Sequence, residues 1–447
     1  MSEHATLRFA RQTNLHDWLV YLESLHPKAI ALGLERVVQV KQRLNLAPDF
    51  PIIVVGGTNG KGSVCAMLEA ILHAAGYRVG CYTSPHLLHY NERVRVAKQL
   101  VSDAELCASF KQIEQARTGR QLDSRLCGNG DLNEIPLTYF EFGTLAAMQL
   151  FIAHKVDVAI LEVGLGGRLD AVNVFDSDCA VVTSVDIDHT DYLGETREQI
   201  AFEKAGIFRA GKIAICADSD VPKAIRNHAQ QVGAELWCIG SEFGFTRHQE
   251  QWDFHGKMGM RTALPYPALR GAYQLNNASA VLAVLDALKE RLSVSMEMVR
   301  RGLVDVQLAG RFQVVPGKPQ LILDVAHNPQ AARSLAQNLA ALPPCPRTFA
   351  VFAMLKDKDM AGVVAELDPF VDIWLVAGIA APRGTTAAEL AQVLQNRGVR
   401  GEIQTFSGVA EALRYACNAA GENDRIAAFG SFHIVAETMA VRGLRVA

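Results

Sequence analysis

The sequence has no C-x-x-C pair. Its nine cysteines, at positions 65, 81, 107, 127, 179, 216, 238, 345 and 417, are odd in number and widely scattered. That spacing indicates neither a zinc knuckle nor a disulfide framework and points to a reduced compartment. There is no excess of basic charge either, since 44 Lys and Arg against 47 Asp and Glu give a net charge of −3. No global field therefore draws the chain to nucleic acid or to an anionic membrane, and any bound phosphate must be held by local groups. No stretch approaches the run of about 18 apolar residues that spans a bilayer, and the opening residues Met1 to Arg8 lack the apolar core of a secretory signal. The expectation is a soluble cytoplasmic chain without a nucleic-acid or membrane partner. Internal repeats and low-complexity tracts are absent, and no N-K-x-D motif reads guanine, which disfavours a GTPase.

What is present is an ordinary globular composition. Hydrophobic residues make up 49% of the 447, enough to fill substantial cores; the length suits about three domains, or two larger ones. Short apolar runs at 51–55, 79–83, 156–163, 179–185 and 212–216 alternate with helical patterns such as 62–75 and 139–154, which predicts βαβ units around a mostly parallel sheet. Residues 117–136 are polar, glycine-containing and aperiodic, and predict a long surface loop. Short alternations over 240–270 predict antiparallel hairpins, and a helix over about 276–290 closes the first unit. The βα alternation then restarts, with strands near 320–325, 348–354, 372–377 and 425–429 and helices near 329–341, 386–396 and 408–419.

Ile52-Ile53-Val54-Val55 runs into Gly56-Gly57-Thr58-Asn59-Gly60-Lys61-Gly62-Ser63, and a helix pattern carrying Val64, Met67, Leu68, Ile71, Leu72 and Ala75 follows, with Gly76 placed to end it. Glycines let backbone N–H groups approach phosphate oxygens, the helix adds its positive end, Lys61 reaches β/γ-phosphates and Ser63 faces a metal. The loop departs from G-x-x-x-x-G-K-[ST], since Val55 replaces the first glycine and Gly62 follows the lysine.

Further along, three strand ends carry chemistry-bearing residues. Leu161-Glu162-Val163-Gly164-Leu165-Gly166-Gly167-Arg168-Leu169-Asp170 reads either as a tight turn with a surface ion pair or as a ligand-facing strand end. An acid between Leu161 and Val163 is costly unless paired or metal-bound. Asp186-Ile187-Asp188-His189-Thr190-Asp191 delivers another acid and a histidine, which is either a ligand or a satisfied loop residue. Thr196-Arg197-Glu198-Gln199 has capping-box form, and Lys204 near the end of its helix reads on sequence as a cation complementing the dipole. In the second unit, Gly310-Arg311-Phe312 precedes a strand ending Asp324-Val325-Ala326-His327-Asn328-Pro329. Asp324 there either lines a site or caps the following helix, and Arg311 either lines a site or sits on the surface. Two polar strand ends on two units predict a cleft between them.

Taken with Thr83-Ser84-Pro85-His86-Leu87, Leu137-Thr138-Tyr139-Phe140-Glu141 and Glu203-Lys204-Ala205-Gly206-Ile207-Phe208, these motifs occur in the order of the folylpolyglutamate synthases. From about Leu15 to His433 the chain resembles the bacterial bifunctional dihydrofolate synthase/folylpolyglutamate synthases of the Mur ligase superfamily. The resemblance implies an α/β protein with a P-loop-type ATPase domain over 1–293, its mostly parallel sheet covered by helices on both faces with a small antiparallel hairpin region, and a Rossmann-like glutamate ligase domain over 294–447. It implies ATP on Thr58, Asn59, Gly60, Lys61, Asn276, Arg311 and Asp324. Magnesium would sit on Ser84, Glu162, His189 and a carboxylated Lys204 (N6-carboxylysine), and a monovalent cation is a further implied cofactor. The implied pterin contacts are Thr138, Tyr139, Phe140, Glu141, Leu169, Asp170 and Ala171, with Leu34-Glu35-Arg36 as weaker candidates. Lys61, Lys204 and His327 are the implied catalytic set. The substrates would be ATP, L-glutamate, 7,8-dihydropteroate and reduced folates, and the protein a monomer. Three alternatives stay open: a monofunctional folylpolyglutamate synthase, a Mur-type ligase for another acid, and a nucleotide-dependent regulatory protein with a degenerate site.

Overall fold

The computed structural model describes residues 13–28, 30–119, 134–271 and 273–445. Its first part builds a sheet from β1 (Ile52–Gly56), β2 (Val79–Tyr82), β3 (Val94–Val96), β4 (Gln99–Leu100), β5 (Val158–Glu162), β6 (Cys179–Val182), β7 (Ile213–Cys216) and β8 (Glu235–Cys238). The strand order is β4-β3-β2-β5-β1-β6-β7-β8, parallel throughout except for β3 and β4 at one edge. Every residue of β1 and β5 is buried, as expected for parallel strands covered on both faces. On one face Ile53 and Val55 pack with Val64, Leu68 and Ile71 of the helix Lys61–Ala74 and with the helix Gln274–Ala287. On the other, Ile52 and Val54 pack with Phe142 and Leu145 of the helix Tyr139–Ala153, and with Trp18 and Phe110 from the helices Leu15–Leu25 and Asp103–Thr118.

The helix Lys61–Ala74 ends as its sequence predicts. Gly76 takes φ +90°, and the Tyr77 N–H returns to Leu72 O at 3.1 Å, closing the last turn through a residue whose positive φ a side chain would resist. Because β1 lies between β5 and β6, the winding of the sheet reverses there, and the loop after β1 opens over the crevice where parallel α/β sheets take ligands.

The expected hairpins form β9 (Gly244–Arg247), β10 (Gln251–Gly256) and β11 (Gly259–Pro265), an antiparallel sheet that sends Trp252, Phe254 and Leu264 into the first core. The helix Met296–Asp305, which the expected boundary at 293/294 assigns to the second unit, also packs into this core through Val299 and Leu303. Gly302 permits that approach, since a Cβ there would come within 2.7 Å of the Ile71 backbone nitrogen. Packing changes from one core to the other between Val306 and Phe312.

The second sheet contains β12 (Gln313–Val315), β13 (Gln320–Asp324), β14 (Thr348–Phe352), β15 (Ile373–Ala377), β16 (Glu402–Phe406) and β17 (Arg425–Phe429) in the order β12-β13-β17-β14-β15-β16, with only β12 antiparallel. The helices Pro329–Ala340, Met360–Leu367 and Ala387–Arg397 cover one face, and Val409–Ala419 and Phe432–Val441 the other. This is the doubly wound α/β unit expected from the sequence.

One expectation is corrected at the predicted 117–136 loop. The helix Asp103–Thr118 runs into it, and Arg117 is 1% exposed, bonded to Glu114 (2.6 Å), Glu134 (2.7 Å) and Tyr21 (2.7 Å). Residues 120–133 lie outside the described residues. No described helix is long and apolar enough to cross a membrane.

Candidate active site

The loop after β1 is tied down along its length. Gly57 takes φ +143° and Gly60 φ +91°, conformations open to glycine alone at little cost. Thr183 Oγ1 at the end of β6 donates to Gly56 O (3.2 Å) and Asn59 O (2.6 Å), Thr58 N donates to Ser184 O (2.7 Å), and Asn59 N donates to Ser184 Oγ (3.1 Å). No side chain caps the helix that begins at Lys61, so its first N–H groups remain available to an anion. Lys61 Nζ lies back on the loop, donating to Gly57 O (3.0 Å) and Thr58 O (3.2 Å).

Glu162, 4% exposed at the end of β5, accepts from the Ser84 N–H at 3.1 Å, and no cation among the described residues lies within ion-pair distance of it. Burial holds its carboxyl above the ordinary range, against the pull of Lys61, the Ser84 N–H and Arg311. Lys204 is also 4% exposed and lines the same cleft, so a complement to the helix dipole does not account for its burial. Burial, then the charge of Lys61, push its ammonium down to about 7. His189 takes φ +53°, and burial lowers its imidazole to about 4 although Asp188 opposes this.

The second unit closes the cleft from the opposite side, around a cavity of about 750 Å³. Asp188 bonds Lys358 Nζ at 2.6 Å and accepts from Asn328 Nδ2 at 3.2 Å, with His327 Nε2 at 3.8 Å. Burial opposes ionisation of Asp188, but His189, Lys358 and His327 together hold its carboxyl well below the usual range. Asn59 of the phosphate loop donates to Asn328 Oδ1 (3.1 Å) and Gln330 Oε1 (2.6 Å), a direct bond between the two units. Asp324 accepts from the Phe312 and Ala326 N–H groups, both at 2.8 Å, and burial raises it to about 6 although Arg311 opposes this. It does not cap the following helix; Asn328 does, through Ala331 N at 2.9 Å. Arg311 lines the cleft and is not a surface residue.

Family models match both units, the Mur ligase middle domain over 55–285 and the Mur ligase glutamate ligase domain over 310–432. The dihydrofolate synthase/folylpolyglutamate synthase of Escherichia coli strain K12 is 46% identical over 428 residues, covering 96% of this chain and 95% of that protein. This chain belongs to that family of Mur ligases. The Haemophilus influenzae relative is 40% identical over 446 residues, 96% of this chain and 97% of its own length. Among solved structures, E. coli FolC in complex with DHPP and ADP superposes with a TM-score of 0.88 at 45% identity, covering 97% of this chain and 98% of that one. A bifunctional folylpolyglutamate synthase/dihydrofolate synthase with Mn, AMPPNP and L-glutamate bound gives 0.87 at 47%, covering 97% and 99%.

Within this Mur ligase framework the structure gathers Thr58, Asn59, Gly60, Lys61, Ser84, Glu162, His189, Lys204, Asn276, Arg311, Asp324 and His327 around one cleft. Asn277, adjacent to Asn276, lines it too, with its Oδ1 2.6 Å from where a Gly60 Cβ would be. None of the seven residues implied for the pterin lines this cavity. Thr138 and Glu141 form the capping box of the helix Tyr139–Ala153, and Arg36 holds Glu141 at 3.0 Å. Tyr139 lies under Arg93, whose guanidinium is 5.5 Å from its ring, and Phe140 packs below Gly164, where a Cβ would be 2.7 Å from the ring. Leu169 O accepts from Gly33 N at 3.4 Å, while Asp170 accepts from Leu165 N (2.8 Å) and Val172 N (3.1 Å), and burial raises it to about 7. Ala171 opens the short turn Ala171–Val174. The surface-pair reading of this segment is half right, since Arg168 does form an ion pair, with Glu203 at 2.8 Å.

Lys358, Asn328, Gln330 and Phe432 were not singled out from sequence. Only Asn328 carried a signal, as an N-cap residue before a proline at the first helical position.

Proposed function

We propose that this protein is an ATP-dependent ligase that joins L-glutamate to 7,8-dihydropteroate and to reduced folates. The observation that carries this reading is the cleft itself, with a phosphate loop on one wall and Arg311, His327 and Lys358 on the other. ATP lies on Thr58, Asn59, Gly60 and Lys61, with Asn276, Arg311 and Asp324 completing its site. An oxygen of the substrate carboxylate attacks the γ-phosphorus, ADP leaves, and an acyl phosphate forms. The amine of glutamate then attacks the acyl carbon and phosphate departs. Lys61, free to turn from two backbone carbonyls to the phosphate chain, offsets charge on the transferred group, while closure of the two units excludes water.

His327 Nδ1 contacts Val325 O at 2.8 Å, which assigns the proton to Nδ1 and leaves Nε2 as the base. Burial lowers this imidazole to about 4 and keeps it neutral; in this reading its Nε2 accepts a proton from the amine as the N–C bond forms. Lys358 offers its ammonium to a glutamate carboxylate. A divalent ion fits Ser84, Glu162 and His189, because Glu162 is a buried acid without a cationic partner and magnesium takes few protein ligands beside waters and substrate phosphates. Bound there, it would neutralise charge on the phosphoryl oxygens.

Carboxylation of Lys204 completes that set in this reading: the neutral amine adds to carbon dioxide, an N–C bond forms and a proton is released. At about 7, half of this amine is neutral at pH 7, against about 0.04% of an ordinary lysine. A monovalent cation requirement, the pterin contacts at 138–141 and 169–171, a monomeric state and a cytoplasmic location belong to the same proposal.

The test is incubation with MgATP, L-glutamate and either dihydropteroate or tetrahydrofolate, with products identified by mass spectrometry. One glutamyl unit added to both acids is the expected result. Addition to tetrahydrofolate alone reduces the protein to a folylpolyglutamate synthase, and ATP hydrolysis without addition to either acid overturns the folate assignment.

A further inference from the structure

We propose that Phe432 is a positioning residue that stacks on the face of the Arg311 guanidinium and leaves its N–H edge free for the nucleotide, an inference that rests on the functional reading above. The Arg311 guanidinium carbon lies 5.1 Å from the Phe432 ring centroid. Among the described residues the only hydrogen bond of that guanidinium is from Nη1 to Gly310 O at 3.3 Å, and no carboxylate lies within ion-pair distance. Its Nη2 reaches across to the phosphate-loop helix, where a Cβ on Gly62 would be 3.9 Å away. An arginine half-buried in a cleft that must bind phosphate needs a partner that replaces lost hydration without using its donors. A carboxylate would occupy the fork and cancel the charge, whereas an aromatic face stabilises the cation from above and leaves the N–H groups in plane.

The support for this stack is rigid. Phe432 is the first residue of the helix Phe432–Val441, capped by Ser431 through Ile434 N at 3.3 Å and anchored in the second core by Ile434, Val435 and Met439. Val435 of the same helix packs against the Gly310 turn, where a Cβ would meet its Cγ1 at 2.9 Å. One helix thus sets both the backbone before Arg311 and the ring over its guanidinium. The ring also neighbours His327, tilted by 49° with centroids 6.2 Å apart. Phe432 is half-buried, lines the cleft and packs on the edge of the second core, so a leucine, which keeps apolar bulk there, is the gentlest way to remove the ring.

The experiment uses the full chain with Phe432→Leu, which keeps apolar bulk but removes the ring, and Phe432→Trp, which restores a ring face. Binding of Mg–AMPPNP is read by calorimetry, which involves no folate. Phe432→Leu is expected to weaken binding about 3- to 30-fold, to raise the KM for ATP in step, to change kcat at saturating ATP less than about threefold, and to leave Tm unchanged. Phe432→Trp is expected to recover most of the loss, and in an Arg311→Ala background Phe432→Leu is expected to have no further effect. Wild-type affinity in Phe432→Leu, equal losses in the Leu and Trp variants, or an undiminished effect without Arg311 would each overturn the proposal. A wild-type protein that binds Mg–AMPPNP yet adds no glutamate to a folate acid overturns the functional reading and leaves the role of Phe432 standing.

Discussion

Substituting Gly57 by alanine tests whether the phosphate loop works by backbone geometry. At φ +143° the residue occupies a region essentially reserved for glycine, and holding alanine there costs about 1–3 kcal/mol. A Cβ would overlap Thr183 Oγ1 and stand 3.1 Å from the Thr183 backbone nitrogen. The hydroxyl can rotate away, but only by giving up its single O–H donation, made chiefly to Asn59 O and shared with the longer contact to Gly56 O, worth about 1 kcal/mol; the backbone nitrogen cannot move. The loop must lift from β6, and with a penalty of about 3 kcal/mol the affinity for Mg–AMPPNP is expected to fall about 100-fold by calorimetry. Gly211→Ala is the control: that residue also has positive φ (+66°) but nothing lies within 4 Å of its Cβ position, so it loses about 1 kcal/mol of stability and no affinity. Adding Thr183→Ala to Gly57→Ala should recover only part of the loss, since the contact with the backbone nitrogen persists. Wild-type affinity in Gly57→Ala, or an equal loss in Gly211→Ala, would refute the reasoning.

Asp324 is raised by burial from 3.8 to about 6, so the stability it contributes is fully present below about pH 3.8 and is lost as pH rises through about 6. Asp324→Asn does not ionise, and urea unfolding should show its stability gaining on wild type by up to about 3 kcal/mol between pH 4 and 6, then running parallel above; parallel profiles throughout would mean the burial argument is wrong. Arg117→Met leaves Glu114 buried without its cation and should cost about 3–5 kcal/mol in denaturant melts with kcat unchanged, while Glu114→Leu/Arg117→Met should cost less than the single change. Lys358→Met should raise the KM for glutamate about 10- to 100-fold with little change in the KM for ATP, and an effect on ATP alone would remove Lys358 from the amino-acid side of the cleft.

What the sequence revealed, and what it hid, follows from how local each signal is. Ile52 to Val55, the glycine loop and the Val64–Leu68–Ile71 face define a strand, a turn and a helix within 25 residues, and the structure forms all three. The capping box at Thr196 is equally local and is present. Edge strands β12 and β16 were missed because they are short or half-exposed, so neither burial pattern stands out. The helix Met296–Asp305 was recognisable by neither domain nor partner until Gly302 was seen against Ile71. Lys358 sits in Lys356-Asp357-Lys358-Asp359, which as a string is indistinguishable from a solvated charge run; its 2.6 Å bond to Asp188, 170 residues away, exists only in the closed fold. Phe432 likewise acquires its meaning from Arg311, 121 positions earlier, and no periodicity announces such a pair.

Neither unit holds a working site alone, and the contacts between them explain why. On the first wall Lys61 bonds two loop carbonyls and Glu162 has no cation within ion-pair distance among the described residues; on the second the Arg311 guanidinium lies 5.1 Å from the Phe432 ring and bonds Gly310 O. The register between the walls is set by Asn59, which belongs to the phosphate loop, and by Asn328, which caps the helix following the Asp324 strand end. The phosphate loop is therefore joined to the strand end that carries His327, one residue before Asn328, through two side-chain amides. In the proposed mechanism the nucleotide loop and the imidazole assigned to the amine are thus linked through one pair of side-chain amides. A ligase that must not expose an acyl phosphate to water before its amine acceptor is aligned needs that coupling.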